Sequence, residues 1–333
     1  MMEAHNTETA VTIVGTGAYL PERILTNAEL ETMVDTSDEW IVTRTGIRER
    51  RIAGDDEPTS VMAAGAAKQA LASAGIAGED VDLIVVGTVT PDMPFPSTAC
   101  LVQTAIGATK ALCFDLEAAC SGFLYSMEVA RGMLLSGHYE TALVIGAEKM
   151  SSVTDWEDRG TCILFGDGAG AVVLKRTDQT RGILATSVGA DGSLSELLMI
   201  PAGGCRIPAS HDSVDQRQHF MKMAGNNVFK HAVRCMTEAG REALEKAGLT
   251  VEDVDWLVPH QANMRIIKAI SGRSGIPMDK IVVNLDRLGN TTAATIPMAL
   301  DEAVRDGRIK PGDIVLMIVF GGGFTWGATV LEM

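Results

Sequence analysis

Ala70-Leu71-Ala72-Ser73-Ala74-Gly75, followed by Glu79-Asp80-Val81-Asp82 and an apolar run, is the stretch that decides the fold, because it occurs twice. The second copy is Ala243-Leu244-Glu245-Lys246-Ala247-Gly248, followed by Glu252-Asp253-Val254-Asp255 and another apolar run. The offset is constant at 173 residues, whether taken at the glycines (248 − 75) or at the glutamates (252 − 79). Each copy reads as a helix end, a glycine stop, an acidic turn and a buried strand. Shared order and shared spacing mark a duplicated unit. A weaker echo pairs Gly170-Ala171-Val172-Val173-Leu174 with Gly327-Ala328-Thr329-Val330-Leu331.

Outward from these copies, β-rich runs alternate with alanine-rich helical stretches. Strands are expected at residues 11–14, 83–87, 112–116, 142–146, 170–174, 256–259, 281–285, 314–320 and 328–331. Helices are expected at 59–74, 98–106, 121–135, 226–247, 262–271 and 296–306. The alternation implies an α/β protein with helix-covered sheets. Two similar halves, 1–175 and 176–333, would pack face to face without a flexible linker. Residues 203–218, rich in Gly, Pro, Ser and Asp, read as a surface loop.

Composition bounds the function. The chain has 333 residues, of which 46% are hydrophobic and 21% charged, enough for a large core. Its net charge of −15 argues against a nucleic-acid binder or a protein adsorbed to anionic membranes. Residues 1–10 lack a basic leader, and the apolar run 314–320 is far shorter than the roughly 20 residues a bilayer span needs. The six cysteines contain no C-x-x-C pair, so free thiols in a reducing cytoplasm are expected, with no metal site and no resident cofactor. Two glycine patterns, 15–17 and 166–170, fail as nucleotide motifs. The first lacks its third glycine and the second leads into a strand, so both read as tight turns.

Cys120 differs from the other five thiols. In Glu117-Ala118-Ala119-Cys120-Ser121-Gly122 it stands between a strand and an apolar helix, where the helix dipole would favour a thiolate nucleophile. The competing reading is a small buried hydrophobe, which is the expectation for Cys100, Cys113, Cys162, Cys205 and Cys235. His260, in Val258-Pro259-His260-Gln261-Ala262-Asn263, ends the second repeat's strand, where α/β proteins place their chemistry. A surface or core histidine is the alternative. Asn290, in Leu288-Gly289-Asn290-Thr291-Thr292, mirrors the segment carrying Cys120, and alone it would be a helix cap. Phe320-Gly321-Gly322-Gly323-Phe324-Thr325-Trp326-Gly327 offers either bare backbone N–H groups for an oxyanion or a tight corner.

These stretches together resemble the bacterial β-ketoacyl-acyl-carrier-protein synthase III family, the priming condensing enzymes of fatty-acid synthesis. The resemblance runs from Val11 to the C-terminus. It rests on the run 36–47 (TSDEWIVTRTGI), Ala118-Ala119-Cys120, Pro259-His260-Gln261-Ala262-Asn263, Gly289-Asn290-Thr291 and the closing glycine run. It implies the thiolase-like five-layered αβαβα fold of two duplicated halves and, usually, a homodimer. It implies that Cys120 takes an acyl group, acetyl or another short chain, from acyl-coenzyme A. His260 and Asn290 would hold the thioester carbonyl of malonyl-acyl carrier protein, and the N–H groups of Cys120 and Gly322 would hold the oxyanion. A neutral His260 is required, and a nearby helix N-terminus would keep it so.

The same resemblance gives coenzyme A to Trp40 and Arg159 around the adenine and to Arg44 at the phosphates. Carrier docking falls to Lys230, Arg265 and Arg273, and Arg265 and Lys268 share a helix face. Phe95, in Pro94-Phe95-Pro96, would cross a dimer interface and close the acyl pocket, with Met150 and Phe165 as further pocket walls. Leu288 departs from the enteric form, which has His there. Elongating condensing enzymes carry a second histidine at Asn290, and degradative thiolases need a cysteine beyond Cys235, where this chain has none. A secondary-metabolite acyltransferase of the same subgroup and a catalytically silent carrier-binding homologue are the alternatives.

Overall fold

The computed structural model describes residues 9–178 and 181–333, so most of the acidic stretch 1–10 lies outside the described residues. The first half runs β1 (Ala10–Tyr19), β2 (Arg23–Thr26), α1 (Asn27–Leu30), α2 (Asp38–Thr45), β3 (Glu49–Ile52), α3 (Thr59–Ala74), β4 (Leu83–Gly87), α4 (Thr98–Ile106), β5 (Leu112–Leu116), α5 (Gly122–Leu135), β6 (Thr141–Lys149) and β7 (Asp167–Thr177). The second runs β8 (Ile183–Ala190), β9 (Leu198–Met199), α6 (His211–Asp215), β10 (Lys222–Met223), α7 (Gly225–Ala247), β11 (Trp256–Pro259), α8 (Met264–Ser274), α9 (Leu285–Leu288), α10 (Thr295–Arg305), β12 (Ile314–Gly321) and β13 (Thr325–Glu332). Adding 173 to the first residues of β1, β4, α5 and β6 gives the first residues of β8, β11, α10 and β12. The duplication is therefore structural.

The glycine stops behave as the repeat implies. Gly75 and Gly248 end α3 and α7 in the left-handed region, at φ 66° and 70°, where a side chain is disfavoured. One sheet has the order β1-β7-β6-β4-β5, and the other, read in the matching direction, β8-β13-β12-β11. In both, an antiparallel outer part meets a parallel pair, β6 with β4 and β12 with β11. Helix α3 covers the outer face of the first sheet through an alanine-rich seam of Ala63, Ala66, Ala67 and Ala70. Helix α7 covers the outer face of the second. Helices α5 and α10 fill the layer between the sheets, with Phe123, Met127, Ile296 and Leu300 buried there. Burial of each such side chain stabilises by roughly 1.5–3 kcal/mol. The result is the five-layered αβαβα stack.

The structure differs from the sequence reading at several elements. Residues 281–285 are not a strand. Ile281 makes a single bridge to Leu257, and the chain then turns into α9. The Gln261 side chain takes over the ladder's work, donating to the Val282 carbonyl and accepting from the Asn284 N–H at 3.1 Å each. The second sheet therefore lacks the fifth strand that β5 provides in the first. The glycines of 15–17 lie inside β1 and those of 168–170 inside β7, paired in register (Gly17 with Ala171, Ala18 with Gly170), so neither segment is a tight turn. Strand β8 and the antiparallel pair β2–β3, whose strands are separated by α1 and α2, have only short or small-residue patterns and are additions to the expected elements. The surface loop 203–218 contains the short helix α6.

Candidate active site

Two related turns build the centre of the site. Cys120 sits in the turn Ala119–Ser121, between β5 and α5, and its counterpart at an offset of 173 is the turn Thr292–Ala294 before α10. Both turns begin on a non-glycine residue with positive φ, Ala119 at 47° and Thr292 at 52°. Such left-handed residues cost about 1–3 kcal/mol and persist only where their surroundings hold them. Each turn is held by the opposite half. The Cys120 turn rests on β12 and β13, the Thr292 turn rests on β6, and the turns touch each other. Close approach demands glycine beneath each. A Cβ on Gly321 would lie 2.8 Å from the Cys120 backbone nitrogen, and one on Gly146 would lie 2.2 Å from the Ala293 carbonyl oxygen.

His260 follows Pro259, where β11 ends, and its N–H donates to the Ile318 carbonyl at 2.8 Å. Its Nδ1 lies 2.7 Å from the Thr295 hydroxyl. Burial alone holds this imidazole far below its ordinary value, at about 3, so it is neutral. No helix N-terminus is required, and the helix that follows, α8, is capped by the Asn263 side chain through the Arg265 N–H at 2.8 Å. Asn290 pairs its backbone with the opposite half: its N–H donates to Leu164 O at 2.8 Å, and its carbonyl accepts from the Gly166 N–H at 3.1 Å. Its Oδ1 accepts from the Thr292 N–H at 2.9 Å, leaving the amide nitrogen for the cavity.

Arg50 braces that pairing. Its buried guanidinium donates to Leu25 O, Asn27 Oδ1 and Ile163 O at 3.2, 2.9 and 2.8 Å, one residue before the Leu164 carbonyl that Asn290 uses.

The charge on Cys120 differs from the helix-dipole expectation. Burial first, and then the Glu148 carboxylate, push the thiol up to about 12, against smaller effects of its own backbone N–H and the Thr292 hydroxyl. The resting residue is a thiol, because desolvation outweighs the dipole. Glu148, fully buried at the end of β6, accepts from the Thr90 and Thr88 hydroxyls at 2.5 and 3.2 Å and from the Val89 N–H at 3.2 Å. Its burial raises it to about 8.

A cavity of about 1460 Å³ receives Cys120, His260, Asn290 and Gly322 together. Trp40, Arg44, Lys230, Arg265, Met150 and Phe165 line the same cavity. The guanidinium carbons of Arg44 and Arg159 lie 4.8 and 5.0 Å from the centre of the Trp40 ring. Two expected residues lie elsewhere. Phe95 is 84% exposed and does not wall the cavity of its own chain, although its neighbour Pro94 does. Arg273, near the end of α8, lines a separate apolar cavity of about 330 Å³. Thr292, Thr295 and Glu148 escaped the sequence reading; only the offset from Ala119 to Thr292 could have drawn attention to the second turn. Among the described residues, no group of three or more His, Cys, Asp or Glu could hold a metal ion, and no helix is long and apolar enough to cross a membrane.

A duplicated αβαβα stack with a cysteine, a histidine and an asparagine converging between its halves defines a condensing acyltransferase of the thiolase type. The family model of 3-oxoacyl-[acyl-carrier-protein] synthase III matches residues 114–192, and its C-terminal counterpart matches 244–333. A β-ketoacyl-[acyl-carrier-protein] synthase III of Caldanaerobacter subterraneus subsp. tengcongensis is 54% identical over 323 residues, covering 97% of this chain and 98% of that one. The crystal structure of 3-oxoacyl-[acyl-carrier-protein] synthase III from Aquifex aeolicus superposes with a TM-score of 0.90 at 51% identity, covering 97% and 100%. The priming β-ketosynthase of the R1128 polyketide pathway gives 0.91 at 38% identity, covering 97% and 96%. The chain belongs to the β-ketoacyl-acyl-carrier-protein synthase III family.

Proposed function

We propose that this enzyme condenses a short acyl-coenzyme A starter with malonyl-acyl carrier protein, and that Cys120, His260 and Asn290 carry the chemistry. The observation that supports this is one cavity collecting all three side chains from both halves. The Cys120 sulfur attacks the starter thioester, its bond to the acyl carbon forms, the bond to coenzyme A breaks, and the thiol proton leaves with coenzyme A. Malonyl thioester then loses carbon dioxide, and the electron pair of that bond becomes an enolate. A donor from His260 and one from Asn290 stabilise the enolate oxygen, each worth about 3 kcal/mol in the transition state. The enolate carbon attacks the acyl-cysteine while the N–H groups of Cys120 and Gly322 hold the oxyanion, and the released cysteine regains a proton.

Trp40 and Arg159 bind the adenine and Arg44 the phosphates of coenzyme A. Their stacking in the free protein supports this, since a flat base can replace one guanidinium on the indole. Lys230 and Arg265, both exposed on the cavity lining, favour an acidic carrier; Arg273 would contribute from farther along α8. Met150 and Phe165 wall the acyl end. The free edge of β5, with Leu112 exposed, supports a homodimer in which Phe95 reaches the partner's pocket. The halves divide near residue 175, no resident cofactor is used, and the enzyme works in the cytoplasm. The priming polyketide synthase among the structural neighbours keeps a secondary-metabolite role as the second reading; the higher identity to fatty-acid enzymes favours the first.

Mass spectrometry after incubation with acetyl-coenzyme A tests the assignment. One acyl adduct is expected on Cys120 and none on Cys120→Ser, while Asn290→Ala still acylates but condenses poorly. No adduct with any of several starters would point to a silent carrier-binding protein, and equal loss of both half-reactions in Asn290→Ala would overturn the division of roles.

A further inference from the structure

The mechanism asks His260 to present a proton on Nε2, and a neutral imidazole has one ring proton to place. The other nitrogen, Nδ1, is buried and meets a single partner, the Thr295 hydroxyl at 2.7 Å. That hydroxyl also lies 2.9 Å from the Thr292 carbonyl. A hydroxyl carries one proton, so it donates to Nδ1 or to Thr292 O and never to both. The second choice forces Nδ1 to donate and turns Nε2 into an acceptor facing the cavity. The first leaves Nδ1 accepting and puts the ring proton on Nε2. Thr292 O does not depend on the hydroxyl, because it already accepts the Thr295 backbone N–H. The hydroxyl can therefore turn to Nδ1 without leaving a buried carbonyl unpaired.

Thr295 is itself buried and opens α10, one turn after the strained Thr292. The turn that packs Thr292 against the Cys120 turn thus also fixes the hydroxyl that meets His260. Resting on the proposed roles above, we infer that Thr295 is a positioning residue whose hydroxyl donates to Nδ1 of His260 rather than to the Thr292 carbonyl, and so holds the imidazole in the Nε2–H form needed at the malonyl carbonyl. Without it, the Nε2–H form buries an unpaired Nδ1.

The test uses the full-length enzyme labelled with 15N-histidine, Thr295→Val and Thr295→Ser variants, and a His260→Asn sample to assign the His260 signals. In wild type and Thr295→Ser, the nitrogen resonances should place the proton on Nε2. In Thr295→Val, the His260 signals should move towards the mixed-tautomer position. Decarboxylation of malonyl-acyl carrier protein should drop by more than tenfold in that variant, while acylation of Cys120 by acetyl-coenzyme A stays within twofold of wild type. A wild-type spectrum with the proton on Nδ1 overturns the inference even if Thr295→Val does not fold. Unchanged resonances, or equal loss of both half-reactions, in Thr295→Val overturn it as well. The spectrum needs no substrate, so it separates this inference from a failure of the proposed function.

Discussion

The distance between a reactive sulfur and a useful one is set by a few neighbours. Cys120 stood out as a candidate from its own surroundings, between a strand and an apolar helix. Its charge was not legible there, because desolvation by both halves and the field of Glu148 come from residues far along the chain. Thr292 and Thr295 were equally hidden, since threonines entering a helix read as ordinary caps. Glu148 gives a prediction at this scale. A carboxylate near a thiol disfavours the thiolate, so its removal lowers the thiol's pKa. Glu148→Gln should therefore move the pH profile of Cys120 alkylation by iodoacetamide to lower pH. If the profile moves by one pH step, the rate at a fixed pH above about 8, where Glu148 is charged, and below the thiol's pKa rises about tenfold. Stability supplies the companion readout. Glu148 binds its proton more tightly folded, at about 8, than unfolded, at 4.5, so the native state holds more protons between those values. Wild-type stability falls as pH rises through that window, and Glu148→Gln should flatten the slope of its denaturant midpoint.

At the level of elements, the expected strand at 281–285 shows how a correct local pattern can be overruled. Ile281, Val282 and Val283 are good strand formers, yet Gln261 satisfies the backbone there and the chain enters α9. The repeat predicted a strand mirroring β5, and the second half instead spends that segment on delivering Asn290. Most other elements were legible because helix periodicity and apolar runs are local. The β2–β3 pair was not, because α1 and α2 separate its strands and Arg50 of β3 reaches Ile163 across the molecule. A single ammonium cannot reproduce three guanidinium contacts. Arg50→Lys should lower the thermal midpoint and slow condensation more than acylation, because the turn it braces at Ile163 leads into the pairing with Asn290 and not with Cys120. Comparable slowing of both half-reactions would place Arg50 outside the site.

On the scale of the whole molecule, charge is distributed against the average. The chain carries −15, yet Arg44, Lys230 and Arg265 are exposed along one cavity and Arg159 lies over Trp40. The proposed anionic substrates would therefore be drawn to one place on a repelling surface. Raising ionic strength should reduce kcat/KM for acyl-coenzyme A while leaving kcat nearly constant, and Arg265→Glu should make the carrier-dependent reaction both slower and less salt-sensitive. Salt-independent kcat/KM would show that steering is negligible. Composition announced the net charge, but only the folded arrangement gathers Arg44, Lys230 and Arg265 beside Asp115 and Glu117 on one cavity, because the three cations come from separate helices.

The turn bearing Cys120 stands on β12 and β13, and the first of these begins 194 residues later in the chain (314 − 120). A ribosome therefore releases the sulfur's support long after the sulfur itself. A polypeptide halted before Ile314 would present Cys120 without β12 and β13 beneath its turn, so on the proposed chemistry thioester loading would double as a certificate that the second half has been made and has docked.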